Sequence, residues 1–261
     1  MDIRNEIRNL VGANTYDDIR ASYTYWKEKA SVEKDKERKK RSEFYAEFIG
    51  SGDLYFDVGA NLGNRIEAIL HLGAEVVAIE PQRFCAKYLK KRYGRQITVI
   101  EKGCGAKNEY AELYQSESHF LSSFSKSHIE EVKNGRFSTA NWNQVKTVEL
   151  TTLDELITQF GTPKFVKIDV EGYEPEVLQG LNTSVAYISF EYMVPEHIDR
   201  LARCVERVLN VNPTYKFNYS VGESMQLSLV KWIEGKELKN LIYSQEFTST
   251  DFGDIYAKLA T

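Results

Sequence analysis

The chain has 261 residues, of which 42% are hydrophobic and 28% charged, with a formal net charge of −4 and a pI near 5.7. That length suits one sizeable α/β unit with additions, and the charge argues against general nucleic-acid affinity. Cys85, Cys104 and Cys204 are odd in number and in no metal-ligand spacing, so they read as reduced thiols, with no metal expected. The charged start Met1-Asp2-Ile3-Arg4-Asn5-Glu6 and the lack of a long apolar run predict neither a signal peptide nor a membrane span, and so a cytoplasmic protein.

Residues 27–43 carry eight basic and five acidic side chains, with Asp35 to Lys39 and Glu37 to Arg41 at i,i+4 spacing, which predicts an exposed helix. That helix is expected to run on through Phe44-Tyr45-Ala46-Glu47-Phe48-Ile49 until Gly50-Ser51-Gly52 releases the chain. Residues 1–50 thus form an N-terminal helical cap, a surface that could also serve a homodimer. The main domain occupies residues 51–261.

Its first strand ends in Tyr55-Phe56-Asp57-Val58 and breaks into the turn Gly59-Ala60-Asn61-Leu62-Gly63. A second, Val76-Val77-Ala78-Ile79, ends in Glu80-Pro81. Two short apolar runs closed by carboxylates and separated by a helical segment describe the nucleoside-binding half of a Rossmann-like sheet. Charge then selects the cofactor. A pyrophosphate at the first helix would be opposed by Asp57, whereas the sulfonium and ammonium of S-adenosylmethionine are balanced by it. Glu80 is placed to accept the ribose hydroxyls, and Asn61 can adopt a left-handed conformation or cap the helix.

A third strand, Ile97-Thr98-Val99-Ile100, leads to Gly103-Cys104-Gly105, which should border the adenine pocket. Ala111-Glu112-Leu113-Tyr114 reads as an edge or hairpin strand. The polar stretch of residues 115–143, holding His119, Ser122, Ser123, His128 and Trp142, is too long to be structureless and is expected to be a substrate lid carrying a short helix. Val145-Lys146-Thr147-Val148-Glu149-Leu150 alternates as a half-buried strand, and Thr152 caps a helix with Glu155 three residues on. Phe165-Val166-Lys167-Ile168-Asp169 and Val185-Ala186-Tyr187-Ile188-Ser189-Phe190-Glu191 are further apolar strands ending in acids. Asp57, Glu80, Asp169 and Glu191 therefore close four parallel strands and point to one crevice at their carboxyl ends. A helix over residues 198–209 and strands over 215–219 and 226–230 complete the sheet.

The blocks Phe56-Asp57-Val58-Gly59-Ala60-Asn61-Leu62-Gly63, Ala78-Ile79-Glu80-Pro81, Thr151-Thr152-Leu153-Asp154-Glu155-Leu156 and Phe165-Val166-Lys167-Ile168-Asp169-Val170-Glu171-Gly172-Tyr173-Glu174, in that order, closely resemble the FkbM family of S-adenosylmethionine-dependent methyltransferases. The resemblance covers about residues 50–195. It implies a class I methyltransferase fold, a mostly parallel seven-stranded sheet with an antiparallel last strand and helices on both faces. It also implies transfer to a hydroxyl of a sugar, glycan or related metabolite. One position departs from the family pattern: Ile66 stands where a threonine or serine is usual, which removes a hydrogen bond from the helix face.

The resemblance places the cofactor among Asp57, Gly59, Ala60, Asn61, Gly63, Glu80, Pro81, Gly103, Cys104, Ser122 and Asp169. A hydroxyl acceptor must lose a proton, so Asp169, Glu171 and the lid residue His119 are the candidate catalytic groups. Asp169 could instead cap the following helix. Asp169 with Glu171 would suit magnesium, but spacing offers no third ligand. Glu191, Trp142, Tyr173 and His197 are candidate substrate contacts, and His71 is read as structural. Two other classes use the same sheet, a nicotinamide-dependent oxidoreductase and a noncatalytic S-adenosylmethionine-binding scaffold.

Overall fold

A computed structural model describes residues 11–29, 34–116, 119–135 and 137–260. Helices α1 (Ala13–Lys29) and α2 (Lys34–Tyr45) open the chain. They are followed by β1 (Leu54–Val58), α3 (Ile66–His71), β2 (Glu75–Ile79), α4 (Arg83–Tyr93) and β3 (Ile97–Ile100). An excursion then builds β4 (Gly103–Cys104), β5 (Glu109–Gln115), α5 (Lys126–Lys133) and β6 (Gln144–Thr151). The chain returns through α6 (Leu153–Phe160), β7 (Phe165–Ile168), α7 (Glu174–Gln179), β8 (Tyr187–Met193) and α8 (Ile198–Val211). It closes with β9 (Lys216–Val221), β10 (Ile233–Glu234), α9 (Gly235–Leu241), α10 (Gln245–Thr248) and β11 (Phe252–Lys258).

The main sheet runs β10-β9-β11-β8-β7-β1-β2-β3, with β11 antiparallel to both neighbours and β1, β2, β3, β7 and β8 parallel. It has eight strands rather than the predicted seven, because the two-residue β10 adds an edge beyond β9. Residues 226–230 form no strand. The Asn218 side chain on β9 takes that segment instead, with its amide donating to the Leu229 carbonyl and accepting from the Leu229 N–H, each at 2.9 Å. The last strand is β11, threaded between β8 and β9.

Strands buried on both faces need apolar side chains on both. On one face Phe56, Val58, Val166, Ile168 and Phe190 meet Leu156 of α6, Val177 of α7 and Val205 and Val208 of α8. On the other, Tyr55, Val76, Ala78 and Phe165 meet Ile66 and Ile69 of α3, Leu89 of α4 and, from the N-terminal region, Phe44, Tyr45 and Phe48. Burying one such side chain contributes about 1.5–3 kcal/mol. Helix α2 ends at Tyr45, short of the predicted Ile49, yet the aromatics beyond it are still buried, with Phe48 stacked on Tyr256 at 5.8 Å. The exposed part of α2 carries the Glu37–Arg41 pair at 3.3 Å, while Asp35 has its side chain outside the described residues.

The expected edge strand is β5, which lies in a separate three-stranded sheet, antiparallel to β6, with β4 on β6's other side. Between β5 and β6 the lid carries a short 3-10 turn (His119–Leu121) and α5, capped by Ser125 accepting from the His128 N–H at 3.2 Å. Thr152 accepts from the Glu155 N–H at 3.1 Å, capping α6 as its sequence predicts. Among the described residues no helix is long and apolar enough to cross a membrane.

Candidate active site

A cleft with about 820 Å³ of empty space, counted out into open solvent, lies at the carboxyl ends of β1, β2 and β7. Its floor is the turn after β1. Gly59 has φ +80° there, and a Cβ on it would stand 1.8 Å from the Asp169 carbonyl oxygen, so only glycine lets the ends of β1 and β7 approach. Asn61 takes φ 49°, the left-handed conformation expected of it.

Glu80, 2% exposed, is held at both oxygens. The Asn61 N–H donates to Oε2 at 2.8 Å and the Gln82 N–H to Oε1 at 2.7 Å. Burial pushes its pKa up to about 7 against those two donors. The remaining lone pairs of a carboxylate fixed in this way can accept a pair of neighbouring hydroxyls. Pro81, Gly103, Cys104 and Ser122 complete this end, and burial raises the Cys104 thiol to about 12, leaving it inert.

Lys167 has no role in the sequence motifs, yet a lysine inside the apolar run Phe165-Val166-Lys167-Ile168 is itself a signal. It is 3% exposed, lies opposite Asp57 in register, and donates from Nζ to Asp169 Oδ2 at 2.7 Å. Burial alone would lower its pKa, but Asp169 and Asp57 outweigh burial and hold it above the ordinary lysine value. Burial raises the Asp57 carboxyl, with Lys167 and Arg65 opposing. Asp169 does not cap α7. The N-cap position of that helix, Tyr173, makes no side-chain cap, and the Glu174 carboxylate instead accepts from the Val170 and Gly172 N–H groups at 3.0 and 3.2 Å.

Asp169, Glu171 and Glu191 each bring a carboxylate oxygen within 4.8 Å of the others. Glu191 is the third group that linear spacing hid. Groups so placed can share a proton, bound hydroxyls or a cation. Burial, then Asp169 and Glu174, push the Glu171 carboxyl well above the usual carboxylate range, and Glu191 is raised in the same way by burial and its acidic neighbours.

Other predicted positions lie elsewhere. Gly63 faces away from the cleft, where a Cβ would strike Leu89, Ile66 and Tyr93, so its role is helix packing. Trp142 sits in a satellite cluster with Ile129 and Val132 and donates from Nε1 to the Leu121 carbonyl at 2.6 Å. Tyr173 packs on Phe124 of the lid, ring centres 5.4 Å apart. His197 and Glu191 line a second, smaller cavity with His128 and Arg200. There Arg200 donates to His128 Nδ1 at 3.0 Å, and burial with His197 and Arg200 drives the His128 pKa down to about 3. His197 Nε2 is 2.9 Å from Glu131 Oε2 without hydrogen-bond alignment. The side chain of His119 lies outside the described residues, and His71 is exposed at the end of α3.

The lid is fastened to both halves of the cleft. Ser122 Oγ donates to Gln82 Oε1 at 3.0 Å, beside Glu80, and Ser123 Oγ donates to the Glu171 carbonyl at 2.6 Å. Gly172 makes room for the lid, since a Cβ there would meet the His128 ring at 2.5 Å.

The profile of the methyltransferase FkbM domain matches residues 57–209, more than half of the chain. A curated relative, hexuronic acid methyltransferase AglP of Haloferax volcanii, is 30% identical over 141 residues, 53% of this chain and 54% of that protein. The chain thus spans about half the length of that relative. Among solved structures, the precorrin-6y C5,15-methyltransferase of Geobacter metallireducens GS-15 aligns with 84% of this chain and 86% of its own at 13% identity and TM-score 0.44. The O-methyltransferase of Bacillus cereus, solved with SAH, aligns with 94% of this chain and 90% of its own at 9% identity and TM-score 0.41. Neither alignment bears on substrate or residue roles. The family match counts against the oxidoreductase reading, which the shared sheet alone left open: the chain belongs to the FkbM methyltransferase family.

Proposed function

We propose that the enzyme methylates a hydroxyl of a sugar, glycan or related small metabolite. The observation that carries this reading is the pair Asp169 and Glu171 on the cleft wall, with a Glu191 carboxylate oxygen within 4.8 Å of both from the adjoining smaller cavity. Carboxylates accept hydrogen bonds from hydroxyls and can take the proton that a hydroxyl loses as it attacks. The relative's name, a hexuronic acid methyltransferase, agrees with a sugar acceptor.

When bound, S-adenosylmethionine supplies a methyl group on a cationic sulfur that is open to in-line displacement. The chain's residues suit such a ligand: the Gly59 turn admits close backbone approach, Glu80 is oriented by two N–H groups, and acidic side chains outnumber basic ones on the cleft walls. Glu80 accepts the ribose hydroxyls. Asp57 faces the positive end of the ligand, and Lys167 holds Asp169 in one orientation toward the acceptor. Asp169 or Glu171 receives the hydroxyl proton. Phe120 and Phe124 of the lid line the cleft and exclude water once an acceptor is present. Most of the rate then comes from alignment. The three buried, unpaired cysteines suit a reducing compartment, so we place the reaction in the cytoplasm, with no nucleic acid among its partners.

The test is a panel of free sugars, glycosides and glycan fragments offered with methyl-labelled S-adenosylmethionine. Label in an alkali-stable ether on a hydroxyl is the expected product. Transfer confined to amines, thiols or carboxylates would overturn the reading.

A further inference from the structure

Arg65 follows the glycine turn, lines the cleft, and is only 5% exposed. Its Nη2 lies 2.7 Å from both oxygens of Glu223, which also lines the cleft from the turn after β9. Glu223 thus occupies one nitrogen of a group with five N–H donors, and the buried Nε makes no hydrogen bond. An orphaned donor on an always-charged, desolvated side chain is costly unless a ligand completes it. Lys167, the other cation among the described residues that line the cleft, is already committed to Asp169.

The cofactor has two chemically distinct ends. Its nucleoside matches Glu80 at one end of the cleft. The other end is an amino acid, with an ammonium that the local carboxylates can meet and a carboxylate that they would repel. Beside the glycine turn, the Arg65 guanidinium is a cation with donors to spare that can receive that carboxylate. We propose that Arg65 anchors the α-carboxylate of the cofactor, while Glu223 fixes the plane of the guanidinium and, with Asp57, balances the ammonium beside it. Arg65 suits this role better than a lysine would, because its planar fork engages two carboxylates at once. The inference rests on the cofactor assignment and adds the residue that tells the intact cofactor from its nucleoside portion.

The test compares calorimetric affinities of the whole chain for S-adenosylhomocysteine and for methylthioadenosine, which keeps the nucleoside and sulfur but lacks the amino acid. In Arg65→Met the first ligand should weaken by about 10- to 100-fold, the size of a lost charge-assisted contact, while the second changes by less than about 2-fold. Arg65→Lys should recover part of the loss. The double variant Arg65→Met/Glu223→Gln removes the Glu223 charge together with its guanidinium partner and should show the same discrimination, and its retained binding of methylthioadenosine reports a folded cleft. Equal weakening of both ligands, or unchanged affinity for S-adenosylhomocysteine, overturns the role of Arg65 alone. Failure of the unaltered protein to bind either ligand overturns the cofactor assignment as well.

Discussion

The two halves of the cleft are built on different principles. At the nucleoside end, backbone N–H groups position Glu80, and the residues that hold it come from two short stretches of sequence. At the acceptor end the carboxylates come from β7, the loop after it and β8, and what orients them is a buried lysine and a lid fastened by serines. The first half is rigid because the backbone makes it so. The second depends on side-chain pairs that meet only once the strands have assembled.

The sharpest way to break that comparison is Asp169→Asn. If Asp169 serves the acceptor, kcat should fall by about 100- to 10,000-fold while S-adenosylhomocysteine affinity measured by calorimetry stays within a few-fold. A comparable loss of affinity would move Asp169 to the cofactor half. Glu80→Gln should do the reverse, weakening S-adenosylhomocysteine about 10- to 100-fold with kcat at saturating cofactor nearly kept. Gly59→Ala forces a methyl group into the Asp169 carbonyl at positive φ, and should cost roughly 3 kcal/mol or more in a denaturant titration, striking both halves together.

How much of this was legible from sequence follows the same division. The Asp57 turn, Glu80 and the stretch from Phe165 to Glu174 are local, and strand-end carboxylates with left-handed glycine and asparagine positions can be read from a few neighbouring residues. Non-local pairing could not be read. Nothing in residues 252–258 says that they insert between β8 and β9, and Glu191 reaches Asp169 only because β8 lies parallel to β7. Arg65 and Lys167 stand inside motifs whose signal comes from their glycines and carboxylates, although a charged residue in an apolar strand must find a partner if it is buried.

Two smaller effects sharpen the contrast. Ser122→Ala removes the bond from the lid to Gln82 and should raise the acceptor KM by about 2- to 6-fold, the worth of one neutral hydrogen bond, in steady-state assays with saturating cofactor. The smallest effect is that of pH. The Glu80 carboxyl sits near 7, above its ordinary 4.5, so it is largely protonated at pH 6 and ionised at pH 8. Because the ionised form is the better acceptor, S-adenosylhomocysteine affinity should rise a few-fold across that interval and lie flat in Glu80→Gln. In the ligand-free protein the sign is opposite. A raised acid pKa means that ionisation costs the folded state, so this contribution to stability is whole below 4.5 and is lost as pH rises through about 7. Glu174, also near 7 but away from the cleft, should add to the change in stability and leave affinity alone.

The threading of β11 bears on how the molecule is made. Strand β9 has no partner on its inner side, and β8 none on its outer side, until residues 252–258 have been synthesised and drawn in between them. A nascent chain can assemble β1, β2, β3, β7 and β8 with most of the nucleoside end in place, while two open strand edges wait for the segment that seals them. Shortening the protein by that one segment would therefore split the sheet near its middle instead of trimming its rim.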